Sequence, residues 1–150
     1  MVITMFYRPK YFRLYELVPK AIYQEYEANK KLYLLWNVFD YRMLHTLDSL
    51  RTKYGRITMN DWKWKGNNNY RGWRDRNCEI GSRLSQHRFG RAADLKPSQT
   101  TSEAIREDIL ANPDDDAFKY ITCIEEGVSW LHFDVRDRDK ANNGILIVRP

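Results

Sequence analysis

The sequence predicts an α+β domain with a mainly antiparallel sheet and flanking helices. Helix-type periodicity comes first along the chain, strand-like runs of β-branched and aromatic residues cluster later, and the two do not alternate as they would around a parallel sheet. The chain has 150 residues, of which 43% are hydrophobic. At that length folding buries roughly 70% of the surface that an unfolded chain exposes. We therefore predict a single domain over 1–150.

The first elements are predicted to be helical. Residues 13–26 place apolar side chains near one stripe at helical spacing, with Pro19 as a break or a first-turn residue, which indicates one or two short helices. From 32 to 54 apolar residues recur every three or four positions, and Gly55 stands where a helix C-cap would. We interpret residues 1–40 as a helical N-terminal extension of the domain, with no separate wall-binding domain.

One of the three histidines, His45, lies on the second of these predicted helices. Its position points away from the apolar stripe and lies close to Asp48 on the outer face. We therefore interpret His45 as a solvated surface residue, with a role as a metal ligand as the less favoured alternative.

The later elements are mainly strands. Residues 101–112 form the exception, because they open with Thr and Ser as N-cap residues and carry one apolar edge, which predicts a helix. Residues 70–83 are basic and loop-like. The segments rich in β-branched and aromatic residues predict strands over 56–64, 118–124, 128–135 and 145–148.

Charge and cysteine content limit the classes of partner and site. A formal net charge of +5 favours an anionic polymer such as nucleic acid, an acidic membrane surface or a bacterial cell wall, but it also suits a basic protein that charge keeps soluble. Cys78 and Cys123 are far apart and form no CxxC pair, so we expect buried thiols. No apolar run reaches the roughly 18 residues of a membrane span, and none resembles a signal peptide.

The other two histidines lie in dense polar motifs, SQHRFGRAAD at 85–94 and WLHFDVR at 130–136. His87 and Asp94 could converge on one ion if the chain turns at Gly90, and His132 on a neighbouring strand would complete the three N and O ligands of a catalytic zinc. Spacing alone leaves other interpretations open. Both histidines could be core residues with satisfied hydrogen bonds, and Asp94 could be a solvated or helix-capping carboxylate.

The first motif resembles SxHxxGxAxD of the zinc peptidases that include D-Ala-D-Ala carboxypeptidases, vancomycin-resistance dipeptidases and phage L-Ala-D-Glu endolysins, with every fixed position filled. The second motif is similar to the HxDxR element of the phage and bacterial branches of that superfamily. The resemblance implies that His87, Asp94 and His132 hold Zn²⁺. It also implies a hydrolase that cleaves peptidoglycan stem peptides.

A third element resembles the Gly-aromatic-Arg sequence whose arginine faces the substrate in that superfamily. Here it is Gly72-Trp73-Arg74, with Arg71 beside it. Either guanidinium would hold a substrate carboxylate in bidentate fashion. Ser85 completes the implied substrate-binding set by supporting the loop through hydrogen bonding. A basic surface loop is the alternative interpretation of this segment.

The sequence departs from the family at the general base. Many members carry a glutamate three residues before the last zinc histidine, where this chain has Ser129, and a serine hydroxyl cannot take a proton from water at neutral pH. We expect Glu126, six residues before His132 as in the hedgehog signalling domain, with Glu125 second, although both could be solvated turn carboxylates. Strand alternation places Asp134 on the face of His132, where it would orient a ligand or act as the base.

The implied activity is zinc-assisted amide hydrolysis by a monomeric cell-wall peptidase, either a carboxypeptidase or an endopeptidase such as a bacteriophage endolysin. Since no signal peptide is predicted, we expect synthesis in the cytoplasm and delivery to the wall by a holin or a virion. Two alternatives stay open. One is a hedgehog-like zinc module that has lost hydrolysis, as Ser129 permits. The other is a nucleic-acid-binding module, because residues 67–76 interleave basic and aromatic side chains, although we expect no nucleic-acid partner.

Overall fold

A computed structural model describes residues 6–150, so residues 1–5 of the predicted N-terminal extension lie outside the described part. It confirms a single α+β domain. The α-helices are α1 (Leu14–Leu17), α2 (Lys20–Ala28), α3 (Tyr41–Tyr54), α4 (Ser102–Ala111) and α5 (Lys140–Asn143). The strands are β1 (Ile57–Thr58), β2 (Ala92–Pro97), β3 (Cys123–Glu125), β4 (Leu131–Asp134) and β5 (Leu146–Val148). Short 3-10 helices cover Leu32–Val38, Trp62–Trp64, Gln86–Phe89 and Asp116–Phe118.

The five strands form one mixed sheet in the order β1-β2-β4-β3-β5. The pairs β1/β2, β2/β4 and β3/β4 are antiparallel, whereas β3 and β5 run parallel. The prediction of a mainly antiparallel sheet is therefore corrected to a mixed one. The physical reason is the connection from β4 to β5, which passes through α5 and so brings β5 back in the direction of β3.

The sheet has one apolar face and one polar face. Helices α3 and α4 both pack against β2, and α4 also packs against β4. Leu95 of β2 and Phe133 of β4 contribute their apolar side chains to the core. Side chains alternate across a strand, so the residues between these positions face the other way. Asp94 and His132 are such residues, and they lie opposite each other in the register of β2 with β4.

The prediction of one or two short helices over 13–26 is confirmed as two helices, α1 and α2, and Pro19 is the N-cap residue of α2. The single helix predicted over 32–54 is wrong, because a 3-10 helix ends at Val38 and α3 begins only at Tyr41. Asp40 causes the break, since its side chain accepts a hydrogen bond from the backbone N–H of Arg42 and thus caps a new helix. The spacing of apolar residues gives no indication of such a cap.

His45 is half-buried, so the prediction of a solvated surface histidine is wrong. Its ring lies between those of Tyr7 and Tyr120, with centroids 5.2 and 5.4 Å away. Asp48, on the same side of α3, is buried and accepts hydrogen bonds from the Tyr7 hydroxyl and from the backbone N–H groups of Lys10 and Tyr11. The segment before α1 therefore covers the face of α3 that periodicity assigned to solvent.

The strands are shorter than predicted. After β1 the chain turns into the Trp62–Trp64 helix, because Asn60 and Asp61 bond backbone groups with their side chains and so compete with a strand ladder. The predicted helix over 101–112 is confirmed as α4, and Thr101 caps it. Both cysteines are buried free thiols, as predicted. Within residues 6–150, no helix has the length and apolar character that crossing a bilayer requires.

The turn that leads into β2 depends on Gly90, which has a φ of 66°. A Cβ atom added there would lie 1.8 Å from the carbonyl oxygen of Val38 and 2.8 Å from the Cα of Phe39. The carbonyl of Gly90 also accepts a hydrogen bond from the backbone N–H of Asp40 at 3.0 Å. Gly90 thus provides the predicted turn and lets residues 38–40, between the 3-10 helix and α3, pack directly against it.

We expect Gly90→Ala to lower the free energy of unfolding by about 3 kcal/mol or more, because a left-handed φ costs about 1–2 kcal/mol and the clash with Val38 adds overpacking. The matched control is Gly127→Ala, since Gly127 has a φ of 76° and no atom within 4 Å of an added Cβ. We expect it to lose only about 1 kcal/mol. Urea denaturation measures both, and equal losses would contradict the close packing at Gly90.

Candidate metal centre

Three buried residues from three different elements converge in the structure. His87 comes from the Gln86–Phe89 helix, Asp94 from β2 and His132 from β4, and one ligand atom of each lies within 4.8 Å of the others. Asp94 bridges the two histidines. Its Oδ2 lies 3.3 Å from Nε2 of His87, and its Oδ1 lies 2.8 Å from Nδ1 of His132. This group could hold a metal ion, as the two sequence motifs predicted.

The backbone brings these residues together in two ways. The antiparallel register of β2 with β4 places Asp94 directly opposite His132 on the polar face of the sheet. The left-handed turn at Gly90 then folds the preceding 3-10 helix back over β2. The backbone of Asp94 is also fixed on the side of β2 that faces away from β4, because its N–H donates to the carbonyl of Arg71 at 2.8 Å.

Each histidine has one ring nitrogen fixed by an acceptor and the other facing Asp94. Nδ1 of His87 lies 2.8 Å from the carbonyl oxygen of Gly72, and Nε2 of His132 lies 3.1 Å from Oδ2 of Asp134. In each case the fixed nitrogen donates its N–H. A ligand histidine is commonly oriented by such a bond, which sets the tautomer and turns the lone pair of the other nitrogen towards the metal.

Gly72, which supplies the acceptor for His87, lies in close contact with the end of α1. A Cβ at this position would lie 2.3 Å from the carbonyl oxygen of Leu17. The next residue, Trp73, donates its backbone N–H to the same carbonyl at 2.8 Å. The predicted Gly-aromatic-Arg segment therefore runs between α1 and the metal group.

Asp134 is fully buried behind His132. Arg136 binds it in bidentate fashion, with Nε donating to Oδ1 at 2.7 Å and Nη2 donating to Oδ2 at 2.6 Å. Both carboxylate oxygens are thus engaged by Arg136, and one of them also accepts from His132. Of the two roles that the sequence left open for Asp134, this geometry favours orientation of the ligand over proton transfer with water.

The charges at the centre are strongly coupled. Burial alone would lower the pKa of His132, but the hydrogen bonds to Asp134 and Asp94 outweigh burial and raise it to about 9. Burial would raise the pKa of Asp94, but hydrogen bonds from His132 and His87 hold it well below its usual range. The raised pKa favours the imidazolium form of His132 at neutral pH in the metal-free chain, so a metal ion that binds its Nδ1 would displace a proton.

The donor set fits a metal ion with three protein ligands and one coordination position left open. Two imidazole nitrogens and one carboxylate oxygen suit a first-row transition metal, and three protein ligands are the usual number at a catalytic zinc. The group forms part of the wall of a cavity of about 530 Å³. The cavity is also lined by Arg74, Ser85, Gln86, Glu125, Trp130 and Asp134.

The residues predicted to bind substrate take different positions. Arg74 lines the cavity, with Nε donating to the carbonyl of Tyr70 at 2.9 Å and Nη2 lying 3.3 Å from Oδ2 of Asp94. Arg71 is not among the lining residues and meets the centre through its backbone carbonyl. Ser85 lines the cavity, but its carbonyl rather than its hydroxyl supports the loop, by accepting from the N–H of Arg88 at 2.9 Å.

The two glutamates proposed as the base also separate. Glu125 lines the cavity, with Oε1 3.9 Å from Nδ1 of His132, whereas Glu126 does not line it and pairs with Arg149 at 3.1 Å. Strand alternation explains the difference, because Ile124 packs into the core and Glu125 therefore lies on the polar face. The predicted strand ended at 124, so the sequence ranked Glu125 second to Glu126 as the candidate base.

Two further residues at the site, Gln86 and Trp130, lie inside the two motifs, but the sequence assigned no role to either. Within residues 6–150, the buried side-chain atoms that have no hydrogen-bond partner are Oε1 of Gln86 and Nε1 of Trp130. Both side chains line the metal cavity. Buried polar groups are nearly always paired with protein atoms or ordered water, so these two atoms are an acceptor and a donor at the cavity that no protein atom satisfies.

We expect the chain to bind one equivalent of Zn²⁺ and His87→Ala to bind at least about a hundredfold more weakly, because two protein ligands are too few for a stable site. His45→Ala is the matched control, since it removes an imidazole that lies between Tyr7 and Tyr120, away from the metal group. Elemental analysis after dialysis measures the stoichiometry. Metal loss in both variants alike would argue against this centre.

We expect Zn²⁺ binding at about pH 7.5 to release about one proton, because His132 is protonated below its pKa of about 9 and must yield Nδ1 to the metal. Zn²⁺ binding to Asp134→Asn should release fewer protons, since this change weakens the hydrogen bond between residue 134 and His132 that raises the pKa of His132. Titration calorimetry in buffers of different ionisation enthalpy counts the protons. Binding by the wild type without proton release would show that His132 is neutral in the metal-free chain.

Comparison with models of known protein families, with curated proteins and with solved structures gave no match. The resemblance of the two short motifs is therefore not accompanied by a measurable likeness over the whole chain. The geometry of the site does not depend on any relative. It is a buried His-Asp-His group that lines a cavity and that could hold a metal ion.

Proposed function

We propose that this protein is a zinc-dependent peptidase that hydrolyses the stem peptides of peptidoglycan. The observation that carries the proposal is the convergence of His87, Asp94 and His132 at the wall of a cavity that also contains a carboxylate and a guanidinium, those of Glu125 and Arg74. Amide hydrolysis at a metal centre needs these parts: ligands, a group that moves a proton and a cation that holds the substrate.

Zinc is the metal that fits this donor set and this reaction. His87 and His132 would each contribute the ring nitrogen that faces Asp94, and Asp94 would contribute a carboxylate oxygen. When bound, zinc supplies a nucleophile at neutral pH and polarises the scissile carbonyl. The other ring nitrogen of His87 donates to the carbonyl of Gly72 and that of His132 donates to Asp134, and these bonds hold both imidazoles in position for this role.

Glu125 is the group that we assign to proton transfer. It is half-buried, lies in the cavity wall and approaches His132 to 3.9 Å, so its carboxylate borders the space where water and the scissile bond would meet. It would accept a proton from the attacking water and return it to the nitrogen of the leaving amine. Ser129, at the usual glutamate position, is exposed and does not line the cavity.

Arg74 is the group that we assign to substrate binding. Its bond to the carbonyl of Tyr70 fixes the guanidinium at the cavity wall, close to Asp94. There it would stabilise a substrate carboxylate or the negative charge that develops on the carbonyl oxygen. The net charge of +5 favours association with an anionic cell wall, to which we propose delivery by a holin or a virion.

One observation favours a second candidate, a zinc-binding module without hydrolysis. That observation is Ser129, which leaves the usual general-base position without a carboxylate. A nucleic-acid-binding role has less support, because Trp73 is half-buried and packs against the small apolar cluster of Leu14, Val18 and Leu35, which leaves less of its ring for stacking on bases.

Muropeptide mapping tests the proposed function. Purified peptidoglycan is digested with the zinc-loaded protein, and mass spectrometry identifies new amino and carboxyl termini in the stem peptides. We expect one type of peptide bond to be cut, with activity lost to a chelator and restored by Zn²⁺. Unchanged muropeptides after incubation with fully zinc-loaded protein would favour the non-catalytic module.

We expect Glu125→Gln to lower kcat by about a hundredfold or more, the usual size of a general-base contribution, and to leave zinc binding intact. The matched control is the neighbouring change Glu126→Gln, which removes a carboxylate that faces Arg149 and should alter kcat by less than about twofold. Release of new amino groups from peptidoglycan gives both rates. A larger loss in Glu126→Gln would reverse the assignment.

A further inference from the structure

We propose that a second cleft, next to the metal cavity, binds a free carboxylate of the peptide substrate. This inference rests on the proposed peptidase function and names a substrate feature that the metal group alone does not recognise. The cleft has a volume of about 520 Å³. It is lined by Trp73, Arg74, Arg76, Cys78, Arg83 and Arg88.

The charge of the cleft is strongly positive. Its lining contains four arginines and no carboxylate. The surrounding segment 74–88 adds two acidic residues, Asp75 and Glu79. Asp75 is buried and its carboxylate accepts from the backbone N–H of Asn77, so it is directed to the loop itself. An anionic ligand is therefore the complement of this surface.

One of the four guanidiniums is a fixed charge. Arg88 donates to three carbonyl oxygens of the loop in front of it, those of Asp75, Cys78 and Ser82, at 3.3, 2.7 and 3.0 Å. All three acceptors are uncharged carbonyl groups, so these bonds do not neutralise the guanidinium of Arg88. Arg88 thus holds the loop in shape and leaves a positive charge at the cleft wall before any ligand arrives, which reduces the ordering that binding requires.

Two other guanidiniums are free to bind. Arg76 and Arg83 are exposed and line the cleft, and neither forms an ion pair with any carboxylate within residues 6–150. An arginine side chain without an internal partner contributes little to folding. A planar guanidinium with unused N–H groups is the side chain that matches a carboxylate in bidentate fashion.

Arg74 connects the cleft to the metal centre. It lines both the cleft and the metal cavity, and its Nη2 lies 3.3 Å from Oδ2 of Asp94. A peptide whose carboxylate occupies the cleft would therefore present a neighbouring peptide bond to the metal side of Arg74. The ligand that fits both sites is a stem peptide with a free carboxylate close to the scissile bond, and the amidated form of that peptide lacks the group that the cleft binds.

The test compares Arg76→Gln/Arg83→Gln with Lys63→Gln/Lys65→Gln, which removes the same charge from two exposed lysines outside the cleft. The probes are one synthetic stem peptide with its carboxylates free and the same peptide fully amidated. KM and kcat are measured with zinc-loaded protein. Calorimetry with the zinc-loaded Glu125→Gln protein, alone and combined with each double variant, gives Kd without turnover.

We expect the arginine variant to raise KM and Kd for the free-carboxylate peptide about tenfold, with kcat changed by less than about twofold. Values for the amidated peptide and for the lysine variant should stay near those of the wild type. The cleft proposal is overturned if the arginine variant keeps the wild-type preference for free carboxylates. The same calorimetry with poly(glycerol phosphate) and with an oligonucleotide tests two other anionic ligands. The proposal is also overturned if the arginine variant loses affinity for one of these polymers and keeps its affinity for the free-carboxylate peptide.

The same data separate this proposal from the proposed function. If the wild type cleaves both peptides equally well, the proposed peptidase function stands and the proposal of a carboxylate-binding cleft is overturned. A zinc-loaded wild type that neither binds nor cleaves either peptide overturns both proposals together.

Discussion

The pairing of β2 with β4 is the constraint on which the metal centre depends. Its register places Asp94 opposite His132 on the polar face, while Leu95 and Phe133 point into the core. A slip of one residue would reverse every side chain, so that Asp94 would enter the apolar core. The core that α3 and α4 form with these strands therefore determines where the ligand atoms lie, and folding stability and site geometry have the same origin.

Burial of opposite charges makes the centre depend on a cation. Asp94 and Asp134 are both buried, and both bond to His132. Removing the proton from His132 without replacing it would leave Asp134 paired with Arg136 but Asp94 with only the longer contact to Arg74, at 3.3 Å, and a poorly compensated buried charge is costly. A bound divalent ion would replace that proton at Asp94, while Arg136 continues to neutralise Asp134. This exchange links metal affinity to pH through the raised pKa of His132.

Local sequence signals predicted the parts of the site that single residues determine. Two short motifs were sufficient to predict that His87, Asp94 and His132 lie together, and the residue type of Gly90 was sufficient to predict the turn. Features that depend on tertiary packing were missed. The burial of His45 and the parallel entry of β5 arise from contacts between distant segments, and helical or strand periodicity contains no information on such contacts. Glu125 was ranked second for a local reason, because the predicted strand ended at 124 and β3 ends at Glu125.

X-ray absorption at the zinc edge of the zinc-loaded protein tests the central claim most directly, because it counts the donor atoms without requiring turnover. The structure predicts two imidazole nitrogens and carboxylate or water oxygens at about 2.0–2.2 Å, with no sulfur in the first coordination shell. A sulfur shell at about 2.3 Å would place the metal at Cys78 or Cys123 and contradict the His-Asp-His centre. A spectrum with oxygen donors alone would contradict it equally.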